Sequence, residues 1–388
     1  MEAGVRLAQA LFAPRTVALV GASGDAKKNT ARPQRYLRKH GYGGRIVPVN
    51  ATRDEVLGER AYRRLADIPG EVDHAFIMVE DVEQALEDCA RKGVPVASIY
   101  SNGFADAGPA GLERQSRLVE SARRLGIRLL GPNSMGVVNL PGRLALTVNA
   151  VLEMDAPPIG PTSLVSQSGT MLGTLLSRGA ARGLGYAKLV SVGNEADLGV
   201  GELVELLAED RETKVIALFL ETVRDAGRLA AAARKAHAAG KPIVAYKLGR
   251  SKLGEELARS HTGALAGSDA ALDAFFRDCG ILRVDMLETL IEMPPLVLGK
   301  EPPRLARAPR IAAVTTTGGG AASVIDRLGL RGVELASLHD LTMTATKDAY
   351  AATLERLLDS PDCDGVLAAV GSSAQFHPEL AVEPILRA

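Results

Sequence analysis

The sequence predicts an α/β protein built from tandem Rossmann- or flavodoxin-like domains with parallel sheets. Short apolar runs of strand length alternate with helix-like stretches, the pattern of right-handed βαβ units on a parallel sheet. One opening also recurs three times: Thr16–Ser23 reads TVALVGAS, Thr162–Thr170 reads TSLVSQSGT, and Arg310–Gly320 reads RIAAVTTTGGG. Each is an apolar strand running into a Gly/Ser/Thr loop and then a helix. The openings start 146 and 148 residues apart, about one α/β domain each.

The first domain is expected over residues 1–150. Its strands are placed at Thr16–Gly21, Arg45–Asn50, His74–Val79, Val96–Tyr100 and Arg128–Leu130, with helices at Ala31–His40, Val82–Lys92 and Gly111–Gly126. Pro157, Pro158, Gly160 and Pro161 then punctuate the chain, and the alternation restarts in a second domain over 151–300. Lys300–Arg310 (KEPPRLARAPR) reads as a linker. The third domain, 310–388, has room for about three strands. The step from Val333–Leu338 to His339–Met343 leaves little space for a crossover, and AVEPILRA shows no finishing helix. This domain is therefore read as incomplete.

Composition narrows the function classes. Lys plus Arg equals Asp plus Glu at 46 each, a net charge of +0, so no basic field invites nucleic acid. Aromatics are 4% with no Trp, which argues against base-stacking platforms. Cys89, Cys279 and Cys363 are odd in number and never form a CxxC pair, which suits a reducing compartment. No apolar run reaches membrane-spanning length, and the first residues lack a secretory pattern. A soluble, cytoplasmic protein with no membrane and no nucleic-acid partner is expected.

Gly21-Ala22-Ser23-Gly24, with Lys27 and Lys28 beyond it, lies between a strand and a helix, where amides and a positive dipole end hold anions. The loop is not GxGxxG, and Asn50 stands where a nicotinamide dinucleotide would want a carboxylate. That weighs against a dehydrogenase, although a plain structural turn also explains the glycines. Ser166-Gln167-Ser168-Gly169-Thr170 gathers three hydroxyls and a glycine at a predicted helix start. It reads either as an N-cap or as an anion site, and the two are compatible.

Arg259–Asp269 reads RSHTGALAGSD. His261 lies among small residues, where backbone can approach a large anion, and neutral imidazole is nucleophilic near pH 7. Spacing alone leaves a structural histidine equally open. His40, His74, His237, His339 and His377 are scattered without ligand-like spacing and are read as structural, so no metal site is expected.

These segments resemble the NDP-forming acyl-CoA synthetases, the superfamily of succinyl-CoA synthetase and ADP-forming acetyl-CoA synthetase. The match is carried in order by VALVGAS (Val17–Ser23), PVNATRDEVLG (Pro48–Gly58), GPNSMGVVN (Gly131–Asn139), SQSGT (Ser166–Thr170), VSVGNEADLGVGELVELLAED (Val190–Asp210) and SHTGALAGSDAALDAFFRDCGILRV (Ser260–Val284). The resemblance implies a CoA-binding first domain in which Gly21, Ser23 and Gly24 receive phosphates and Asn50 ends the neighbouring strand. It places Ser101, Asn102 and Gly103 near the CoA arm, and Pro132 and Asn133 near the reacting centre. Many relatives have Cys after that Asn, where this chain has Ser134.

It further implies that His261 is phosphorylated, that Glu221 orients it, and that Ser166, Ser168, Gly169 and Thr170 form a helix start that holds the phosphate. By spacing alone Glu221 would read as a solvated acid. The reaction expected is acid + CoA + ATP to acyl-CoA + ADP + phosphate. ATP or ADP with magnesium would be handled by an ATP-grasp domain or subunit, which this chain does not contain. The partners implied are CoA, a small carboxylic acid, the ATP-grasp part and an oligomer. The alternative is a non-catalytic CoA- or acyl-CoA-sensing module.

Overall fold

The first apolar run forms strand β1 (Thr16–Val20), preceded by helix α1 (Glu2–Phe12). The chain then builds α2 (Arg32–Lys39), β2 (Arg45–Val49), a small hairpin of β3 (Glu55–Val56) and β4 (Glu59–Arg60), β5 (His74–Ile77), α3 (Val82–Arg91), β6 (Val96–Ile99), α4 (Pro109–Leu125) and β7 (Arg128–Leu130). The sheet is wholly parallel in the order β2-β1-β5-β6-β7. Alternation along the strands fills both faces. Ala18, Ala75 and Ile77 meet Val82, Leu86 and Leu118 on one side, while Val17, Leu19 and Phe76 meet Leu37 on the other. Both faces are covered, which is why these strands read as continuous apolar runs. Strand order reverses around β1, and the crevice for a ligand opens at the carboxyl ends there. The Gly21–Gly24 loop follows β1 directly.

The computed structural model describes residues 2–251, 253–254, 269–299, 307–342 and 345–388. These form two compact units, Met1–Glu301 and Pro302–Ala388. The first unit also holds β8 (Gly136–Asn139), β9 (Leu144–Thr147), β10 (Ile159–Ser166), α5 (Gly169–Ala180), β11 (Tyr186–Ser191), α6 (Val200–Glu209), β12 (Val215–Leu220), α7 (Ala226–Ala238), β13 (Ile243–Lys247), α8 (Asp269–Asp278), β14 (Leu282–Val284) and α9 (Leu287–Val297). They make a second sheet in the order β14-β13-β12-β10-β11-β8-β9.

The second sheet also draws on strands that precede residue 150. β8 pairs antiparallel with β11, Val138 facing Leu189, and β9 pairs with β8. Residues 136–147 thus complete the second sheet and cover what would be a bare edge. Helix α1 crosses over as well: Leu7, Leu11 and Phe12 pack with Val165, Val190 and Leu203. The two α/β domains interlock through these exchanged pieces.

The second unit contains β15 (Ile311–Thr315), α10 (Gly318–Gly329), β16 (Leu335–Asp340), α11 (Lys347–Leu358), β17 (Gly365–Ala369) and α12 (Pro378–Arg387). Its sheet is parallel in the order β16-β15-β17, so three strands are present as expected. Two details differ. Residues 335–340 form one strand, with α11 as the crossover to β17. AVEPILRA lies in α12, whose Ala381 packs with Tyr350 and Leu354. Pro384 inside that helix hides it from a propensity reading. Among the described residues, no helix is long and apolar enough to cross a membrane.

Candidate active site

Strand β10 ends at Ser166, and α5 begins three residues later with Ser168 as its N-cap, accepting from the Met171 amide at 3.3 Å. Ser166 Oγ donates to the Ser168 carbonyl at 2.6 Å and accepts from the Ser168 amide at 3.2 Å. The turn is thereby braced from behind, while the next amides of the helix start have no intrahelical acceptor. Gly169 permits a close approach: a Cβ there would sit 2.5 Å from Met135 Cγ. The N-cap of the sequence reading is present, and Ser168, Gly169 and Thr170 also line a cavity.

That cavity, of about 310 Å³, lies between the two α/β domains of the first unit. Ser168, Gly169 and Thr170 line it from α5, Glu221 from the end of β12, and Asn133 from the first domain. Five residues assigned to three separate motifs are therefore brought together. Asn133 is held in the left-handed region at φ 57°, and its amide donates to the Ser101 carbonyl at 3.1 Å. Pro132 does not line the cavity; its carbonyl accepts from the Asn194 amide at 2.8 Å and so fastens the two domains. Ser134, where relatives carry Cys, is fully buried and donates to the Ser191 carbonyl at 2.6 Å. His261 lies outside the described residues.

Several lining residues were missed from the sequence. Asp106 accepts from Asn194 Nδ2 at 2.7 Å across the domain boundary, and from the amides of Gly103 at 3.0 Å and Phe104 at 3.2 Å. Burial works against its ionisation, but these hydrogen bonds outweigh it and hold the carboxyl below its usual range. The Ser101–Gly103 loop is thereby tied to the cavity wall. Arg224 adds a cation beside Glu221, with Nε 3.8 Å from Glu195 Oε2. An anion in the cavity would thus meet helix-start amides and a guanidinium together. The signal for these residues was available: polar side chains in loops that follow fully buried strands.

The Gly21–Gly24 loop is a second station, at the end of β1. Its amides are less available than the sequence suggested. Gly21 donates to Val49 at 2.9 Å, Ala22 to Leu19 at 3.3 Å and Ser23 to Thr30 at 3.4 Å. These bonds shape the loop. Asn50 has the same work: its Nδ2 donates to the Ala22 carbonyl at 2.9 Å, and its Oδ1 accepts from the amides of Thr52 and Arg53. Asp could not supply the donor. The resulting turn lays Arg53 over the loop, and a Cβ on Gly24 would lie 3.0 Å from its guanidinium. Arg53 is the cation set against Gly24, and a motif reading does not single it out. A groove of about 620 Å³ runs from Asn29 and Arg32, just past this loop, to Tyr100, Met135 and Thr170, which also line the cavity.

A wholly parallel-sheet domain and a second α/β domain thus meet at a cavity formed at two sets of strand ends. The comparisons agree. The CoA binding domain family matches residues 15–139, and the Succinyl-CoA ligase like flavodoxin domain family matches 159–297. The alpha subunit of acetate–CoA ligase [ADP-forming] II from Pyrococcus furiosus is 34% identical over 97% of this chain and 86% of its own length. The alpha subunit of acetate–CoA ligase [ADP-forming] I from the same organism is 40% identical over 71% of this chain and 60% of its own. The dinucleotide-forming acetyl-coenzyme A synthetase 1 of Candidatus Korarchaeum cryptofilum, solved with phosphate and ADP, superposes with a TM-score of 0.85 at 28% identity. That superposition covers 98% of this chain and 86% of the other. The chain belongs to the ADP-forming acyl-CoA ligases, a family of acid–thiol ligases.

Proposed function

We propose that this chain is the CoA-binding and phosphohistidine part of an ADP-forming acyl-CoA ligase, working with an ATP-grasp domain or subunit supplied elsewhere. The observation that carries this is the convergence of the α5 start, Glu221 and Asn133 on one cavity, beside a groove that begins at Asn29 and Arg32. CoA lies with its phosphates near Arg53 and Gly24 and its arm past Ser101–Gly103. In the direction of acyl-CoA use, phosphate attacks the thioester carbonyl, the C–S bond breaks, and CoA leaves as thiol with acyl phosphate formed. A ring nitrogen of His261 then attacks phosphorus, the P–O bond to the acyl group breaks, and the carboxylate departs. Phosphohistidine finally passes its phosphoryl group to ADP.

The residues of the cavity suit these steps. Amides of the α5 start and Arg224 stabilise charge on the phosphoryl oxygens. Glu221 accepts the remaining ring N–H of His261, which fixes the tautomer. The acid is a small carboxylic acid. The test is turnover: the purified chain with acid, ATP, magnesium and CoA makes no acyl-CoA, and adding the matching ATP-grasp part restores it. Robust synthesis by the chain alone would overturn the division of labour proposed here.

A further inference from the structure

Met135 has surface in two places. It lines the cavity with Glu221, Asn133 and the α5 start, and it also lines the neighbouring groove of about 620 Å³. Its main chain is fixed just before β8. The amide donates to Ser191 Oγ at 3.0 Å, and the carbonyl accepts from Thr147 Oγ1 at 2.6 Å and from the Val148 amide at 3.2 Å. The side chain lies against the start of α5, where Gly169 makes room for it. A Cβ on Gly169 would sit 2.5 Å from Met135 Cγ and 2.8 Å from its Sδ. Asn149, which lines the groove, brings its Nδ2 to 3.5 Å from the same sulfur.

We propose that Met135 sets the size of the acid: the acyl tail lies against Tyr100 and Met135, and the Met135 side chain closes it off from the groove. The inference deepens the ligase reading and rests on the acid reacting in this cavity. Among the described residues, the apolar side chains on the cavity wall are Tyr100, Ala105 and Met135. The rest of the wall is glycine or polar, with Asp106, Asn194, Glu221 and Arg224 among it. An apolar tail laid on those groups would strip them of water and return no hydrogen bond, so it turns to the Tyr100–Met135 side. The cavity of about 310 Å³ also admits phosphate and the thiol end of CoA, which leaves room for a short tail.

Past Met135 the groove is walled by Val148 and Val151 and, from α5, by Thr174. A longer tail that passed Met135 would bury itself on that surface. Methionine is unbranched and fills an irregular gap without a rigid shape. Shortening it opens the way, while the bonds to Ser191, Thr147 and Val148 keep the main chain in place.

The experiment measures binding of CoA, acetyl-CoA and hexanoyl-CoA to the full chain by calorimetry. It compares the unaltered protein, Met135→Ala, and Met135→Ala combined with Thr174→Phe. In Met135→Ala the affinity for hexanoyl-CoA relative to acetyl-CoA is expected to rise about tenfold, roughly what two further buried methylenes give. Met135→Val, a milder truncation, should move the ratio the same way by about threefold. Thr174→Phe fills the groove from α5 and should return the ratio to within about twofold of the unaltered value. Thr174 lines the groove and not the cavity, so adding Thr174→Phe should leave the affinity for CoA itself where Met135→Ala has it. A ratio unmoved in both Met135 variants, or a gain that survives Thr174→Phe, overturns the proposal. So does a loss of CoA affinity on filling the groove, which would place the CoA arm there. With the ATP-grasp part added, turnover of hexanoate against acetate is expected to follow the binding ratio. Binding needs no phosphohistidine. An unaltered enzyme that takes no label from phosphate would count against phospho-His261, while the binding ratio would still decide the role of Met135.

Discussion

Gly193 is where the two domains are pressed together, and Gly193→Ala should be among the most damaging small changes in the chain. The glycine sits at φ 65°, where a Cβ costs about 1–2 kcal/mol. The added carbon would lie 2.2 Å from the Pro132 carbonyl oxygen and 2.6 Å from that of Asn133. Both are backbone atoms, so no side-chain rotation relieves the overlap. The segments must part, which breaks the bonds from Asn194 N to Pro132 O at 2.8 Å and from Ala196 N to Gly131 O at 3.0 Å. At roughly 1 kcal/mol each, the total loss is about 3–4 kcal/mol. For a unit of this size that is a fall in Tm of roughly 6–12 °C, taking about 2–3 °C per kcal/mol. Because Asn133 moves with the displaced segment, labelling by radioactive phosphate should fall more steeply than CoA affinity. A variant that melts within 2 °C of the unaltered protein would refute the reasoning, at any level of activity (about 1 kcal/mol on the same scale).

Two further outcomes follow from single residues. Gly24→Glu places a carboxylate under the Arg53 guanidinium and in the path of CoA phosphates, so calorimetry should show CoA binding abolished; unchanged affinity would move the CoA site elsewhere. His74 is fully buried between the Ala10 carbonyl at 3.0 Å and Ser98 Oγ at 2.7 Å, and burial lowers its pKa to about 4. The unfolded chain takes up that proton near pH 6.5 and the native one only near 4, so stability from neutral His74 is complete above pH 6.5 and is lost as pH falls toward 4. Between pH 7 and 5 the loss should be about 2 kcal/mol, at 1.36 kcal/mol per pH unit below 6.5. Denaturant titrations of His74→Gln should lack this part of the pH slope, and an identical slope would contradict the assignment.

The strands were legible because parallel strands buried on both faces are continuous apolar runs: HAFI, VASI and VIALFL are buried throughout. The loops were legible because Gly, Ser and Thr punctuate those runs, and Ser168, Gly169, Thr170 and Glu221 do meet at one cavity. What stayed hidden depends on pairs distant in sequence. Asn194 reaches Asp106 across 88 positions, and nothing local to either residue announces the other. The exchange of β8, β9 and α1 into the second sheet and its core is equally silent, because apolar periodicity gives an element's buried face and not its partner. Arg53 was hidden for a different reason: an Asx turn at Asn50, not strand or helix periodicity, aims it at the Gly24 loop. The final helix α12 was lost to Pro384, since propensity reads a proline as a stop.

The central claim is that phosphate passes through His261. The most direct measurement is acid-labile, base-stable labelling of the complete enzyme by radioactive phosphate in the presence of acyl-CoA. The unaltered chain is expected to take the label and Glu221→Gln to take it slowly. His261→Ala should take none while binding CoA with unchanged affinity. A His261→Ala enzyme that still labels and still turns over would contradict the account.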